Sequence, residues 1–296
     1  MFELIGVPPQ VLLGQILLGL INGAFYAILS LGLAVIFGVL NVVNFAHGAL
    51  YMMGAFAAWL LLTHFGIGFW GALILSPVII AAVGIVAERL FMRHIYKLDH
   101  LYGLLLTFGL ALIAEGTFRN LYGISGAAYP IPDALKGGFK LPFMFLPTYR
   151  AFVVVASLVV CLTTWFVIER TRIGAYLRAA TENPQVVRAF GINVTRLITI
   201  TFAVGVGLAA FAGVLAAPIY QVNPLMGSNL IIIVFAVVVI GGMGSIMGAI
   251  VSGFALGVIE GLTKVFYPEA ASVVIFFIMG LVLLVKPAGL FGRAHA

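Results

Sequence analysis

Residues 11–39 read VLLGQILLGLINGAFYAILSLGLAVIFGV and contain no charged side chain. They belong to a longer run, residues 4–87, that contains no Asp, Glu, Lys or Arg. A second run of this kind lies between Arg196 and Glu260. About 20 apolar residues in a helix cross the hydrocarbon core of a bilayer, so the first run has room for about three crossings and the second for two to three. We therefore predict a protein that crosses a membrane many times.

The composition excludes a soluble globular protein. Of the 296 residues, 64% are hydrophobic and 8% are charged, whereas a soluble domain carries roughly 25% charged residues. No basic residue precedes Arg89, so the chain lacks the charged region of a cleavable signal peptide, and its N-terminus is expected to be retained. The prediction is an all-α polytopic membrane helix bundle of about eight to nine spans, in which residues 1–296 form a single transmembrane domain.

The apolar segments predict nine spans. They lie near residues 11–39, 45–63, 69–87, 101–121, 150–168, 197–217, 230–247, 248–264 and 271–286. Lys and Arg mark the cytoplasmic side of a membrane protein, and ten of the 15 lie in segments 88–100 and 169–196 and in the tail beyond residue 285. This predicts that the N-terminus is outside and the C-terminus is cytoplasmic. One additional crossing before Arg89 would invert the side of the membrane on which the N-terminus lies and leave the rest of the orientation unchanged.

Two polar segments interrupt the apolar pattern. Residues 122–149 are rich in proline and glycine, which predicts a periplasmic loop with at most short helices. Residues 169–196, ERTRIGAYLRAATENPQVVRAFGINVTR, form the cytoplasmic segment. In it Asn183 can cap a short helix that has Pro184 at its first position and stops at Gly191. A helix of about two turns is not stable alone in water, and the pattern leaves open whether it lies on lipid or packs against a partner.

Six polar residues within the predicted spans are candidates for lining a pathway, because polar groups at membrane depth usually face the bundle interior or water. They are Asn22, Asn41, Asn44, His47, Glu115 and Glu260. For the three between residues 41 and 47, capping of a helix end near the cytoplasmic face is the alternative. Glu115 lies four residues before Arg119, which favours an ion pair on the helix surface. Glu260 lies near the outer end of a span, where water can hydrate it.

A glycine cluster lies inside the second charge-free run. Gly241, Gly244 and Gly248 are three and four residues apart, which gives one smooth face for close packing if the helix continues. If the helix does not continue, the cluster, which includes Gly242, is a re-entrant bend. A loose similarity between residues 41–63 and 241–263 hints at an internal duplication.

No catalytic or metal-binding pattern is present in the sequence. The chain has no phosphate-binding Walker loop, CxxC pair or HExxH helix, its five histidines are isolated, and its single cysteine, Cys161, lies in an apolar run. We predict no enzyme activity, no metal and no cofactor. An ion-coupled secondary transporter or channel is the alternative function, but it would favour charged residues deep in the spans, and few are present.

Three stretches carry a resemblance to a known family. They are NVVNFAHGALYMMGAF at 41–56, RTRIGAYLRAATENPQVVRAFGIN at 170–193 and GGMGSIMGAIVSG at 241–253. In this order they resemble a LivH-type permease of the branched-chain amino-acid ABC importers, and the resemblance extends from about Leu12 to Phe291. It implies a subunit of the bacterial inner membrane that transports branched-chain or related amino acids. The motifs do not identify the individual solute.

The resemblance also implies partners. A periplasmic substrate-binding protein selects the solute, a second, LivM-like permease completes the pathway, and two cytoplasmic ATPases, LivG-like and LivF-like, bind ATP. By the same resemblance, residues 181–193 become the coupling helix that sits in a groove of an ATPase. Its residues are Glu182, Asn183, Pro184, Val187, Arg188, Phe190 and Gly191. Val187 and Phe190 are expected to anchor the helix in that groove, while Glu182 and Arg188 orient it.

Overall fold

The computed structural model describes residues 8–40, 42–96 and 99–292, and most of them are helical. The helices are α1 (Pro9–Leu40), α2 (Ala46–Phe65), α3 (Phe69–Ala87), α4 (Arg93–Ile95), α5 (His100–Tyr122), α6 (Thr148–Arg170), α7 (Arg172–Glu182), α8 (Pro184–Ala189), α9 (Val194–Tyr220), α10 (Ser228–Gly241), α11 (Ile246–Phe266) and α12 (Val274–Val285). A π-helix, Glu88–Met92, joins α3 to α4, and 3-10 turns cover Asp133–Leu135 and Pro268–Ala270. The strands β1 (Gly138–Lys140) and β2 (Phe145–Pro147) form a small antiparallel hairpin.

Seven helices in the described part of the chain are long and apolar enough to cross a membrane. This confirms the predicted all-α membrane fold. The predicted segments 230–247 and 271–286 correspond to shorter helices, α10 with 14 residues and α12 with 12. At 1.5 Å per residue these helices extend about 21 and 18 Å, which is less than the hydrocarbon core of about 30 Å.

The glycine cluster explains why α10 ends early. Gly242 has a φ of 101° and Gly244 a φ of 81°, a left-handed conformation that glycine adopts without steric cost. The chain therefore turns between α10 and α11, and the Ser245 side chain caps α11 by accepting a hydrogen bond from the Gly248 amide at 3.1 Å. Of the two interpretations, the bend is confirmed. Gly241 and Gly248 also face each other closely across this bend.

A segment that follows α12 closes the free end of α10. The Leu290 amide donates to the Ile240 carbonyl at 2.8 Å, and the Phe291 amide donates to the Gly241 carbonyl at 3.0 Å. The last carbonyls of a helix have no partner inside the helix. Leu290 and Phe291 therefore supply the hydrogen bonds that α10 lacks at its C-terminal end.

The described residues form two compact units. The first contains those within 1–30, 131–162 and 233–296. Its α1 and α11 pack through small residues, because a Cβ on Gly19 would lie 2.9 Å from the Val258 Cα and one on Gly253 would lie 2.6 Å from the Ala27 Cα. Only glycine permits such close backbone contact between membrane helices.

The second unit contains the described residues within 31–130 and 163–232. Its core is built from α2, α3 and α9, which share long contact faces. A Cβ on Gly213 of α9 would overlap the Tyr51 carbonyl oxygen of α2, and a Cβ on Gly84 of α3 would lie 2.9 Å from a methyl group of Val206. Outside these helices, Ala127 and Val222 form an isolated antiparallel bridge.

Candidate functional site

The polar segment 169–196 folds into two short helices followed by the start of α9. As predicted, Asn183 caps α8 by accepting a hydrogen bond from the Val186 amide at 3.1 Å, with Pro184 at the first helical position. Gly191 ends this helix with a φ of 79°, and its amide donates to the Arg188 carbonyl at 2.9 Å. The 11-residue helix α7, which precedes it, was not predicted.

The two apolar side chains assigned to the coupling helix have different environments. Val187 is 5% exposed and packs with Ala180 of α7 and Val194 of α9, so it faces the chain's own interior. Phe190 is 80% exposed. The expectation that both side chains anchor α8 in a partner is corrected here: Val187 attaches α8 to its own chain, and Phe190 is the one available to a partner. Arg188 and Glu182 are also exposed.

Segment 169–196 is attached to both neighbouring membrane helices. The Arg178 guanidinium donates to the Ile168 carbonyl at the end of α6 at 3.0 Å, and α7 approaches the same carbonyl so closely at Gly174 that no side chain fits there. At the other end, Asn193 caps α9 by accepting from the Arg196 amide at 3.0 Å. Segment 169–196 is therefore bonded to the end of α6 and leads directly into α9.

The polar candidates near the start of α2 are buried. Asn41 lies outside the described residues. Asn44 is 1% exposed, and its Oδ1 accepts a hydrogen bond from the amide of Ala46, the first residue of α2, at 3.1 Å; the residue at the N-cap position of α2 is Phe45. Its Nδ2 has no hydrogen-bond partner within the part of the chain that the structure describes. His47 is fully buried, and its imidazole lies against Gly32 of α1. Asn22 is half-buried on α1.

Glu115 contacts a different element from the one expected. Its Oε2 accepts a hydrogen bond from the hydroxyl of Ser228, the first residue of α10. The ion pairs found among the described residues do not include Glu115 with Arg119. The predicted ion pair on the helix surface is therefore wrong, because the carboxylate points toward α10 rather than along its own helix.

Glu260 forms a small polar cluster rather than lying free in water. The Tyr26 hydroxyl of α1 donates to its Oε2 at 2.7 Å, and the Lys264 ammonium lies 2.6 Å from its Oε1. The Glu260 side chain is 12% exposed. The expectation of simple hydration is corrected accordingly. Tyr26 was missed because a single tyrosine in an apolar helix has no distinguishing pattern.

The sequence analysis also missed Glu88, which it treated only as the end of the charge-free run. This side chain is 1% exposed, and its carboxylate accepts hydrogen bonds from the Tyr96 hydroxyl at 2.9 Å and the Thr199 hydroxyl at 3.0 Å. Burial, together with the Glu88 carboxylate, raises the pKa of Tyr96, so Tyr96 keeps its proton and remains a donor. The available signal was that no Lys or Arg lies three or four positions from Glu88, where a helical ion pair would form.

Comparison with known proteins places the chain in one family. The model of the family described as "Branched-chain amino acid transport system / permease component" matches residues 15–283. The high-affinity branched-chain amino acid transport system permease protein LivH of Salmonella typhimurium is 31% identical to this chain over 95% of this chain and 96% of its own length. BraD, the similarly named permease of Pseudomonas aeruginosa, is 31% identical over the same shares.

A second kind of permease is also similar. LivM, another high-affinity branched-chain amino acid transport system permease protein of Salmonella typhimurium, is 28% identical over 90% of this chain and 67% of its own length. Two differently named permeases of one organism thus share their sequence pattern with this chain.

Proposed function

The chain belongs to the family of branched-chain amino acid transport system permease components, and from this membership we propose that it is a membrane subunit of a binding-protein-dependent ABC importer. With a second, LivM-like permease it forms the pathway for branched-chain or related amino acids. A periplasmic binding protein delivers the solute, and two cytoplasmic ATPases, LivG-like and LivF-like, bind and hydrolyse ATP. The chain itself binds no cofactor and catalyses no reaction.

The observation that supports this proposal most directly is the exposed end of α8. Phe190, the residue that follows the six-residue helix α8, is 80% exposed and makes little packing contact within its own chain. Aromatic side chains are enriched among the few residues that carry most of the binding energy of protein interfaces. An ATPase groove that receives Phe190 provides the missing contact, with Glu182 and Arg188 at its polar rim.

The attachment of α8 suggests how ATP hydrolysis drives transport. Closure of the ATPases pulls on α8, whose neighbour α7 is bonded to the end of α6 and whose own Val187 packs on the start of α9. Both membrane helices then move as rigid elements, which opens the pathway alternately to each side of the membrane. No charge needs to be carried across the bilayer by the protein in this scheme.

Polar side chains along the helices complete the proposed pathway. Asn22, Glu115 and Glu260 are only partly buried and remain the candidates for lining the pathway. Asn44 and His47 are buried just before and within the first turn of α2. A pathway with few fixed charges holds an amino acid weakly and briefly, and selection of the solute remains with the binding protein.

Co-purification followed by ATPase measurement tests the function. The tagged chain, expressed with its neighbouring genes, is expected to recover the second permease and both ATPases in detergent. After reconstitution, a binding protein loaded with a branched-chain amino acid should stimulate ATP hydrolysis several-fold over the unloaded protein. If the chain alone takes up solute in response to an ion gradient, the secondary transporter is the correct alternative.

Cysteine labelling tests the orientation. In intact cells, a cysteine at Lys136 should react with a membrane-impermeant reagent, because the basic excess in 88–100, 169–196 and the tail places this loop in the periplasm. A cysteine at Arg178 should react only after the inner face is exposed. The native Cys161 is buried in α6 and serves as the internal background. Reversed labelling would overturn the assignment, including the cytoplasmic C-terminus.

A further inference from the structure

The Glu88 carboxylate lies inside the helix packing of the second unit. It is the only buried Asp, Glu, Lys or Arg in the described part of the chain. It begins the π-helix Glu88–Met92, which interrupts the membrane-spanning helix Phe69–Ile95. Turns of π-helix inside α-helices occur frequently at functional sites. A buried carboxylate and an irregular turn therefore coincide at one position.

Two hydroxyl groups, and no cation among the described residues, bond to the buried Glu88 carboxylate in place of water. Among the described residues no Lys, Arg or His pairs with it. The Tyr96 hydroxyl lies 2.9 Å from one carboxylate oxygen, and the Thr199 hydroxyl lies 3.0 Å from the other. The Thr199 hydroxyl is also 3.1 Å from the Thr195 carbonyl of its own helix. Because a hydroxyl has one proton to donate, Thr199 bonds either across to Glu88 or along α9, and these are two discrete arrangements.

Thr199 lies in the first turns of α9, the segment against which α8 packs. Val187 of α8 packs against Val194, with Leu197 and Ile198 beside them, in the first turns of α9. A displacement of α8 is therefore a displacement of the segment that holds Thr199. Apolar contacts between α3 and α9, such as Gly84 against Val206, tolerate small sliding movements. A hydrogen bond weakens steeply as its distance and angle depart from the optimum. The strength of the hydrogen bond between Glu88 and Thr199 therefore depends on the register of α3 and α9.

We propose that Glu88 is a positioning residue for transport. Its hydrogen bond to Thr199 fixes the position of α9 relative to α3, so that movement of α8 moves both membrane helices and does not make α9 slide along α3. This inference rests on the proposed function, because it requires ATPases that act on α8. Its specific consequence is a change in coupling, the number of ATP molecules hydrolysed per solute transported. A residue that only stabilised the fold would change the amount of active complex and leave that ratio unchanged.

Substitutions at Thr199 test this with little change of shape. Thr199→Val removes the hydroxyl and keeps the side-chain volume, and in the reconstituted importer it is expected to raise the ATP consumed per solute about tenfold. ATPase recovery and basal hydrolysis should stay within about twofold of the unsubstituted complex. Thr199→Ser, which keeps the hydroxyl, should restore the original ratio. The matched control is Thr201→Val, because within the described residues the Thr201 hydroxyl bonds only to the Leu197 carbonyl of its own helix, at 2.9 Å; its ratio should not change.

A double substitution identifies Glu88 as the partner. Glu88→Leu, which removes both acceptor oxygens, should raise the ratio on its own, and adding Thr199→Val to it should cause no further rise, because both changes remove one shared contact. Equal losses of uptake and ATP hydrolysis, with an unchanged ratio, would overturn the proposal, as would additive effects of the two substitutions. A complex whose unsubstituted form fails to recover ATPases would instead contradict the proposed function.

Discussion

Phe190→Asp is expected to separate the ATPases from the membrane subunit. The substitution places a charge where the proposed groove must be apolar, and the cost at a buried interface position is on the order of 2–4 kcal/mol. This corresponds to roughly 30- to 1,000-fold weaker binding. Recovery of the ATPases with the tagged chain in detergent should fall accordingly, and solute uptake should be lost with it.

The expression level of the variant distinguishes loss of a partner from loss of folding. Because Phe190 is 80% exposed, the charge enters water in the free chain, and the variant should insert and remain monodisperse. Phe139→Asp is the matched control: Phe139 is 57% exposed in the hairpin of segment 122–149, so the same chemical change on the proposed opposite face should leave the ATPases bound. A Phe190→Asp variant that retains its ATPases and transports normally would exclude α8 as their docking site.

Gly213→Val is expected to destabilise the chain itself. A Cβ at this position would overlap the Tyr51 carbonyl oxygen, and the Ala55 amide nitrogen would lie 2.9 Å away. Both atoms belong to the backbone of α2, so neither can move without shifting the helix. Overpacking of this kind costs about 1–3 kcal/mol or more, and we expect the midpoint of thermal aggregation in detergent to fall by on the order of 10 °C.

Gly116→Val is the corresponding control. Gly116 lies in α5, and apart from its chain neighbours and the nearby backbone of its own helix, no heavy atom of the described residues would lie within 4 Å of a Cβ there. The two substitutions share the same change in helix propensity and side-chain area, so a difference between them reports the contact of α9 with α2. Equal midpoints for the two variants would show that α2 and α9 do not pack through Gly213.

Hydrophobicity alone was sufficient to predict where most helices lie. Long apolar runs leave a membrane chain few alternatives, because every backbone polar group must be satisfied inside a helix. The end of α10 was ambiguous, since Gly241, Gly244 and Gly248 suit a smooth helix face and a turn equally well in sequence. The left-handed backbone conformations at Gly242 and Gly244 show that the chain turns there. A hydrophobicity pattern carries no information about backbone conformation.

The candidate site was predictable only in its local part. The cap at Asn183 and the stop at Gly191 depend on neighbours within a few residues, and both were found. The burial of Val187 depends on α7, and the role of Glu88 depends on Thr199, which is 111 residues away. Contacts over such separations arise from tertiary packing, so no local pattern could indicate which apolar or acidic side chain would be inside.

The hydrogen bonds that close α10 have a consequence for how the protein is made. Leu290 and Phe291, which supply amides to the Ile240 and Gly241 carbonyls, are synthesised about fifty residues after α10 itself. During biosynthesis the chain therefore passes through a stage in which α10 is complete while two of its carbonyls still lack their final donors. Unsatisfied carbonyls are costly in lipid, so we expect α10 to reach its final membrane position only after translation has passed α12.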